Sequence, residues 1–211
     1  MKHYFALTIV FSILLVWQNC LAAEVSHHEV DVCVYGGTAS GVMAALAAEK
    51  EGADVIIVEP SRWLGGMTGG GINHLDWGKG NTVGGSTYKI LMEGLKGQER
   101  AHQGHAIQGI GNKAYRERFK KAVKGRGITV IYDHRLGKVH LADATIDSPT
   151  RQRPIAQHEA TAEKKVGDSI RSITLDYAPV DETGCPIPEP KKRNAVTVSA
   201  KVFIDCSYEG D

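Results

Sequence analysis

The chain has 211 residues, enough for one domain or one and a half, and its 42% hydrophobic content is enough to bury a core. A net charge of +1 gives no electrostatic reason to expect nucleic acid or an anionic membrane surface as partner. The 24 glycines fall largely in tight clusters, which marks places where backbone must turn sharply or approach something closely.

The first segment, MKHYFALTIVFSILLVWQNCLAA, has Lys2 and His3 ahead of an apolar run from Phe5 to Val16, then small residues at Ala22 and Ala23. A basic start, an apolar centre and a small-residue exit predict a secretory signal peptide over residues 1–23. The run is short for a membrane span, which needs about 20 apolar residues; an uncleaved anchor is the alternative. The residues WQN before Cys20 do not suit a lipoprotein site. The mature chain is thus expected to be exported, with no membrane contact after cleavage, and to retain Cys33, Cys185 and Cys206. Their spacing fits no metal site, and no disulfide is demanded.

Next, VDVCVY (30–35) predicts a buried strand, and SGVMAALAAEKE (40–51) an alanine-rich helix packed closely on a sheet and ended by Gly52. DVIIV (54–58) predicts a second strand. Strand, turn, helix and strand within about 30 residues make a βαβ unit, and continuous apolar runs suit parallel strands. Residues 61–86 are too glycine-rich for a regular element. Helices are predicted at 87–96 and 112–124, a third strand at ITVIYDH (128–134), and polar, irregular chain from 137 to 200 with short strand-like pieces at 169–177 and 195–199. KVFIDCSYEGD closes the chain as a strand running into an acidic turn. There is no internal repeat. The fold class is α/β: a Rossmann-like domain on a parallel sheet over residues 29–211, carrying an irregular insertion at about 140–195.

The turn after the first strand carries chemistry. A pyrophosphate is received by free N–H groups at a helix start, provided no side chain stands in the way. The usual spacing is G-x-G-x-x-G; here the six positions are Gly36, Gly37, Thr38, Ala39, Ser40 and Gly41. Thr38 replaces the second glycine. Its Cβ limits backbone approach while its hydroxyl offers a phosphate contact, and Gly37 offsets some of that loss. Glu59 ends the second strand 23 residues after Gly36, where a carboxylate accepts hydrogen bonds from an adenosine ribose. An ordinary strand-to-helix turn and a solvated terminal charge are the plain alternatives.

The second cluster, RWLGGMTGGGI (62–72), is not needed by a nicotinamide dinucleotide but suits the longer flavin dinucleotide. With it, the sequence resembles the FAD-dependent oxidoreductases of the glutathione-reductase-like superfamily, in particular a bacterial group pairing a YGGTxxG turn with an LGGMTxGG loop. The resemblance implies FAD as cofactor. It implies a cofactor-binding set of Gly36, Gly37, Thr38, Ala39, Ser40, Gly41, Glu59, Arg62, Gly65, Gly66, Met67 and Thr68, together with Asp211; the closing FIDCSYEGD resembles the group's terminal segment, whose turn, here Cys206 to Asp211, lies beside the cofactor. Leu136 matches a position whose backbone meets the adenine. It also implies that the chain stops at Asp211 where relatives continue into a substrate domain, so a fragment is expected.

No catalytic residue is identified. In INHLDWG, His74 is a candidate acid or base because its ordinary pKa lies near neutrality, with Asp76 to orient it and Trp77 to stack; a loop held by packing is the competing reading. His102 and His105 have H-x-x-H spacing without a third ligand, so no metal is expected. The expected function is an exported FAD-dependent oxidoreductase passing hydride or electrons from a small-molecule substrate to flavin. An NAD-dependent dehydrogenase and a non-catalytic, truncated cofactor-binding or interaction domain are the alternatives.

Overall fold

The structure, a computed structural model, describes residues 25–70, 85–92, 112–142, 144–147 and 169–208. Strand β1 (Ser26–Tyr35) leads through Thr38 into helix α1 (Ala39–Lys50) and back into strand β2 (Val55–Glu59). The short helix α2 (Gly66–Gly70), helix α3 (Gly85–Met92) and helix α4 (Asn112–Val123) precede strand β3 (Thr129–Tyr132). Strands β4 (His134–Leu141), β5 (Thr145–Asp147), β6 (Ile170–Tyr177) and β7 (Lys192–Asp205) follow. One seven-stranded sheet runs in the order β3-β2-β1-β7-β6-β4-β5. The first four strands in this order are parallel, with Cys33 opposite Ile56 and Phe203; the last four are antiparallel.

Every residue of β2 is buried, because it lies between two parallel neighbours and is covered on both faces. On one face α1 and α4 pack over Val34, Val55 and Ile57. Alanines at 44, 45, 47 and 48 let α1 approach the sheet, and Gly52 ends the helix with φ +89. Helix α4 turns Tyr115, Phe119 and Val123 inward, a four-residue repeat that puts all three on one side. Ile173, Leu175 and Val198 form the second core with Cys33, Ile56 and Val58. The antiparallel half must curl over this face. Strands β1 and β4 stand three places apart, roughly 14 Å in a flat sheet, yet the Tyr35 hydroxyl accepts from Leu136 N–H at 3.0 Å.

The α/β class and its βαβ start stand as expected, and several boundaries change. Strand β1 begins at Ser26 rather than Val30, its polar first half pairing with β7. Residues 66–70 are helical, inside a stretch expected to be irregular. The region assigned to insertion contains β6, a strand inside the sheet with Thr174 to Asp176 buried. The pieces at 195–199 and 201–206 are parts of one strand, β7, of 14 residues. Third-strand residues 128–134 divide at Asp133 (φ 60), where the chain reverses into β4. The predicted leader, residues 1–23, lies outside the described residues.

Cys33, Cys185 and Cys206 are free thiols. Burial raises the Cys33 thiol from 9.0 to about 12, so it stays neutral and packs as a small hydrophobe. Desolvation also raises Cys206, whereas Cys185 is exposed. Iodoacetamide at mildly alkaline pH is expected to alkylate Cys185 first, Cys206 slowly and Cys33 only on unfolding, as read by peptide mass spectrometry. Labelling of Cys33 at the rate of Cys185 would contradict the buried β1. The neutral Cys33 thiol contributes stability fully below 9.0, and this is lost as pH rises towards about 12.

Candidate functional site

The site is built where β1, β2 and β7 end side by side. Gly36 leaves β1 with φ +92 and donates its N–H to Val58 O at 2.8 Å. A Cβ there would lie 2.7 Å from both Cys206 C and Ser207 N, so the turn passes directly against the end of β7. Gly41 packs even closer: its Cβ would overlap Gly36 O. These two glycines serve close backbone packing between strand ends and helix start.

Thr38 corrects an expectation. It is the N-cap of α1, its Oγ1 accepting from Gly41 N–H at 3.2 Å and donating to Cys206 O at 2.9 Å. A hydroxyl has one hydrogen, so none remains for a phosphate, and Ser40, 2.9 Å away, donates to it. The side chain is 5% exposed. It points inward to β7 and therefore does not obstruct approach to the turn. Threonine replaces glycine here because the position faces the protein. The N–H groups of Ala39 and Ser40, in the first turn of α1, have no partner within the helix.

Glu59 is 7% exposed, not a solvated strand end. Its Oε2 accepts from Gly37 N–H and its Oε1 from Ser61 N–H, each at 2.7 Å. The carboxylate thus joins the first turn to the chain leaving β2. Nearby, burial chiefly, and then the Glu59 charge, raise the Tyr132 hydroxyl above its ordinary value. Arg62 pairs with Asp133, where the chain reverses between β3 and β4. Its Nε donates to Asp133 Oδ1 at 3.0 Å, and about half of its side chain is exposed.

The second glycine cluster comes to the first. Gly65 N–H donates to Gly37 O at 2.8 Å, and Thr38 and Gly65 form a parallel bridge. Gly65 also abuts the Phe119 ring, which leaves no room for a Cβ. Arg116 donates from Nε to Gly69 O at 2.6 Å while its guanidinium lies 4.4 Å from the Trp63 ring centroid. Met67, though exposed, donates its N–H to the Tyr208 hydroxyl at 2.9 Å. Thr68 is half-buried beside it.

Ten of the expected residues, Gly36 to Gly41, Glu59 and Gly65 to Met67, are thereby linked by direct contacts or short chain segments, with Thr68 next in line. Arg62 is engaged with Asp133, and the Leu136 N–H is taken by Tyr35. His74, Asp76, Trp77 and Asp211 lie outside the described residues. Phe119, Arg116 and Trp63 were not anticipated; Tyr208 lies in the terminal turn expected beside the cofactor, but its bond to Met67 was not foreseen. The inward spacing of Phe119 was a usable signal, and the SYEGD segment marked the turn that holds Tyr208 though not its partner. Among the described residues no cluster of three His, Cys, Asp or Glu side chains could hold a metal, and no helix is long and apolar enough to cross a membrane.

A nucleotide-type turn, a buried acid at the next strand end and a second glycine turn bonded to the first define a dinucleotide-binding α/β protein. The family described as FAD dependent oxidoreductase matches residues 31–166, well over half of the chain, and the chain belongs to that family. FAD is the family's cofactor, which decides between the two dinucleotides left open by the first turn. No curated protein sequence matches the chain. Among solved structures it is similar to Thermovibrio ammonificans THI4 (16% identity, TM-score 0.46), covering 96% of this chain and 63% of that one. It is also similar to 3-ketosteroid-delta4-(5alpha)-dehydrogenase from Rhodococcus jostii RHA1 (14%, TM-score 0.45; 84% and 45%). A third is L-proline dehydrogenase from P. horikoshii (14%, TM-score 0.41; 87% and 23%). The chain spans less than two thirds of the length of each.

Proposed function

We propose that this chain is the FAD-binding part of an exported oxidoreductase that takes hydride or electrons from a small-molecule substrate. The observation that carries the reading is the 2.8 Å bond from Gly65 N–H to Gly37 O, which brings two stretches of side-chain-free backbone to one place. The residues fit the cofactor. Ala39 and Ser40 N–H, at the positive end of α1, receive the pyrophosphate. The Glu59 carboxylate, held at the end of β2, accepts from ribose hydroxyls, and Gly65 to Thr68 run alongside. Arg62, fixed by Asp133, places its outer N–H donors at the rim. Thr38 acts indirectly, by capping α1 and tying it to β7. FAD supplies the redox chemistry when bound; the chain binds and orients it. Asp211 beside the cofactor, and His74 with Asp76 as acid or base and its orienter, complete the reading. Export rests on the leader-like residues 1–23.

The test is purification of the full chain from outside the cytoplasm. The expected product starts after Ala22 or Ala23 and is yellow, with flavin released on denaturation. A well-folded, colourless protein that takes up no added FAD would overturn the cofactor site, and retention in the cytoplasm would overturn export.

A further inference from the structure

We infer that Tyr208 is a positioning residue that latches the second glycine turn in its cofactor-binding shape through its hydroxyl. This rests on the proposed FAD site and adds a residue to it. The turn has few side chains with which to hold itself: Gly65, Gly66, Gly69 and Gly70 supply none. Its restraints therefore come from elsewhere. Gly37 O holds it on the α1 side, the Phe119 ring abuts it, and Arg116 holds Gly69 O. Tyr208 acts from the open side, where it is 58% exposed and Met67 is 54% exposed. Its hydroxyl accepts the Met67 N–H at 2.9 Å across 141 residues.

Two further observations make this a built contact. Gly66 has φ +53, and a Cβ there would overlap the Tyr208 hydroxyl and crowd its ring. Glycine is thus required for the ring to lie against the turn. The segment presenting Tyr208 is itself anchored beside the first turn, where Cys206 N–H donates to Tyr35 O at 2.7 Å and Cys206 O accepts from Thr38, and it is shaped locally by Ser207 N–H donating to Asp205 Oδ1 at 2.8 Å. The end of β7 therefore grips the first turn with its backbone and the second with Tyr208. Any shift between the two turns must break one of these bonds.

Tyr208→Phe removes the hydroxyl and keeps the ring. In the full chain loaded with FAD, it is expected to release flavin about tenfold faster than wild type on dilution, the effect of one hydrogen bond. The visible flavin band should shift, because the ring system sits in a looser surround. The Tm of the flavin-free chain should fall by no more than about 4 °C, the effect of that one bond, far less than a general loss of packing would cause. Equal release rates in Tyr208→Phe and a yellow wild type would overturn the latch alone. Slower release would also overturn it, by showing that the hydroxyl competes with the cofactor for Met67 N–H. A wild type that binds no FAD would overturn both this inference and the site on which it rests.

Discussion

Gly36→Val is expected to yield a chain that retains no flavin and melts about 10 °C lower than wild type, a loss on the order of 4 kcal/mol. Two effects add. Gly36 has φ +92, a conformation that a β-branched residue adopts only under strain. Its Cβ would also stand 2.7 Å from Cys206 C and Ser207 N, and backbone atoms cannot rotate away. The end of β7 is held in place by Tyr35 O and Thr38, so relief would require shifting the strand and opening the site. Gly52→Ala separates the two effects. Gly52 has φ +89, and nothing lies within 4 Å of the place its Cβ would take, so only backbone strain of about 1 kcal/mol is expected there. Thermal melts and flavin release on denaturation, run on both variants, check this. Equal melting temperatures for the two would show that the contact with β7 contributes nothing.

Glu59→Ala is expected to lower the Tm of the flavin-free chain by about 8 °C, for a loss of roughly 3 kcal/mol, and to weaken FAD binding further. The stability loss comes from the two N–H groups, of Gly37 and Ser61, left without their 2.7 Å acceptors. An unsatisfied buried donor costs its full desolvation penalty. Glu59→Gln keeps one acceptor oxygen but sets an amide NH2 against the other N–H, so an intermediate melt is expected. From the sequence, Glu59 had one ribose contact to lose; in the structure it also pins the first turn, so its replacement affects the scaffold before any ligand is present. An unchanged melt in flavin-free Glu59→Ala would mean that the carboxylate serves the ligand alone.

The elements nearest the site were legible because their signals are local. VDVCVY and DVIIV show the apolar runs of strands buried on both faces, and ASGVMAALAAEK carries the small side chains that let a helix lie close to them. Tyr115, Phe119 and Val123 repeat every four residues, which suffices to place one face of α4 inward. Strand β7 was not legible as one piece. Its first residues, Lys192 to Asn194, are exposed, and the strand forms there because β6 lies alongside. The same holds for Ser26 to Glu29, which pair with β7.

By itself the sequence determined the βαβ start, the glycine-built turns, the acid between them and the resemblance to flavin-binding oxidoreductases, because each is written within a few neighbouring residues. Only the tertiary structure decided the partners: that Thr38 caps α1 and bonds Cys206, that Glu59 holds Gly37 and Ser61, that Gly65 meets Gly37, and that Tyr208 reaches Met67. Those choices depend on which strand ends the sheet register sets side by side. A donor and an acceptor up to 168 residues apart leave no mark on the residues around either one.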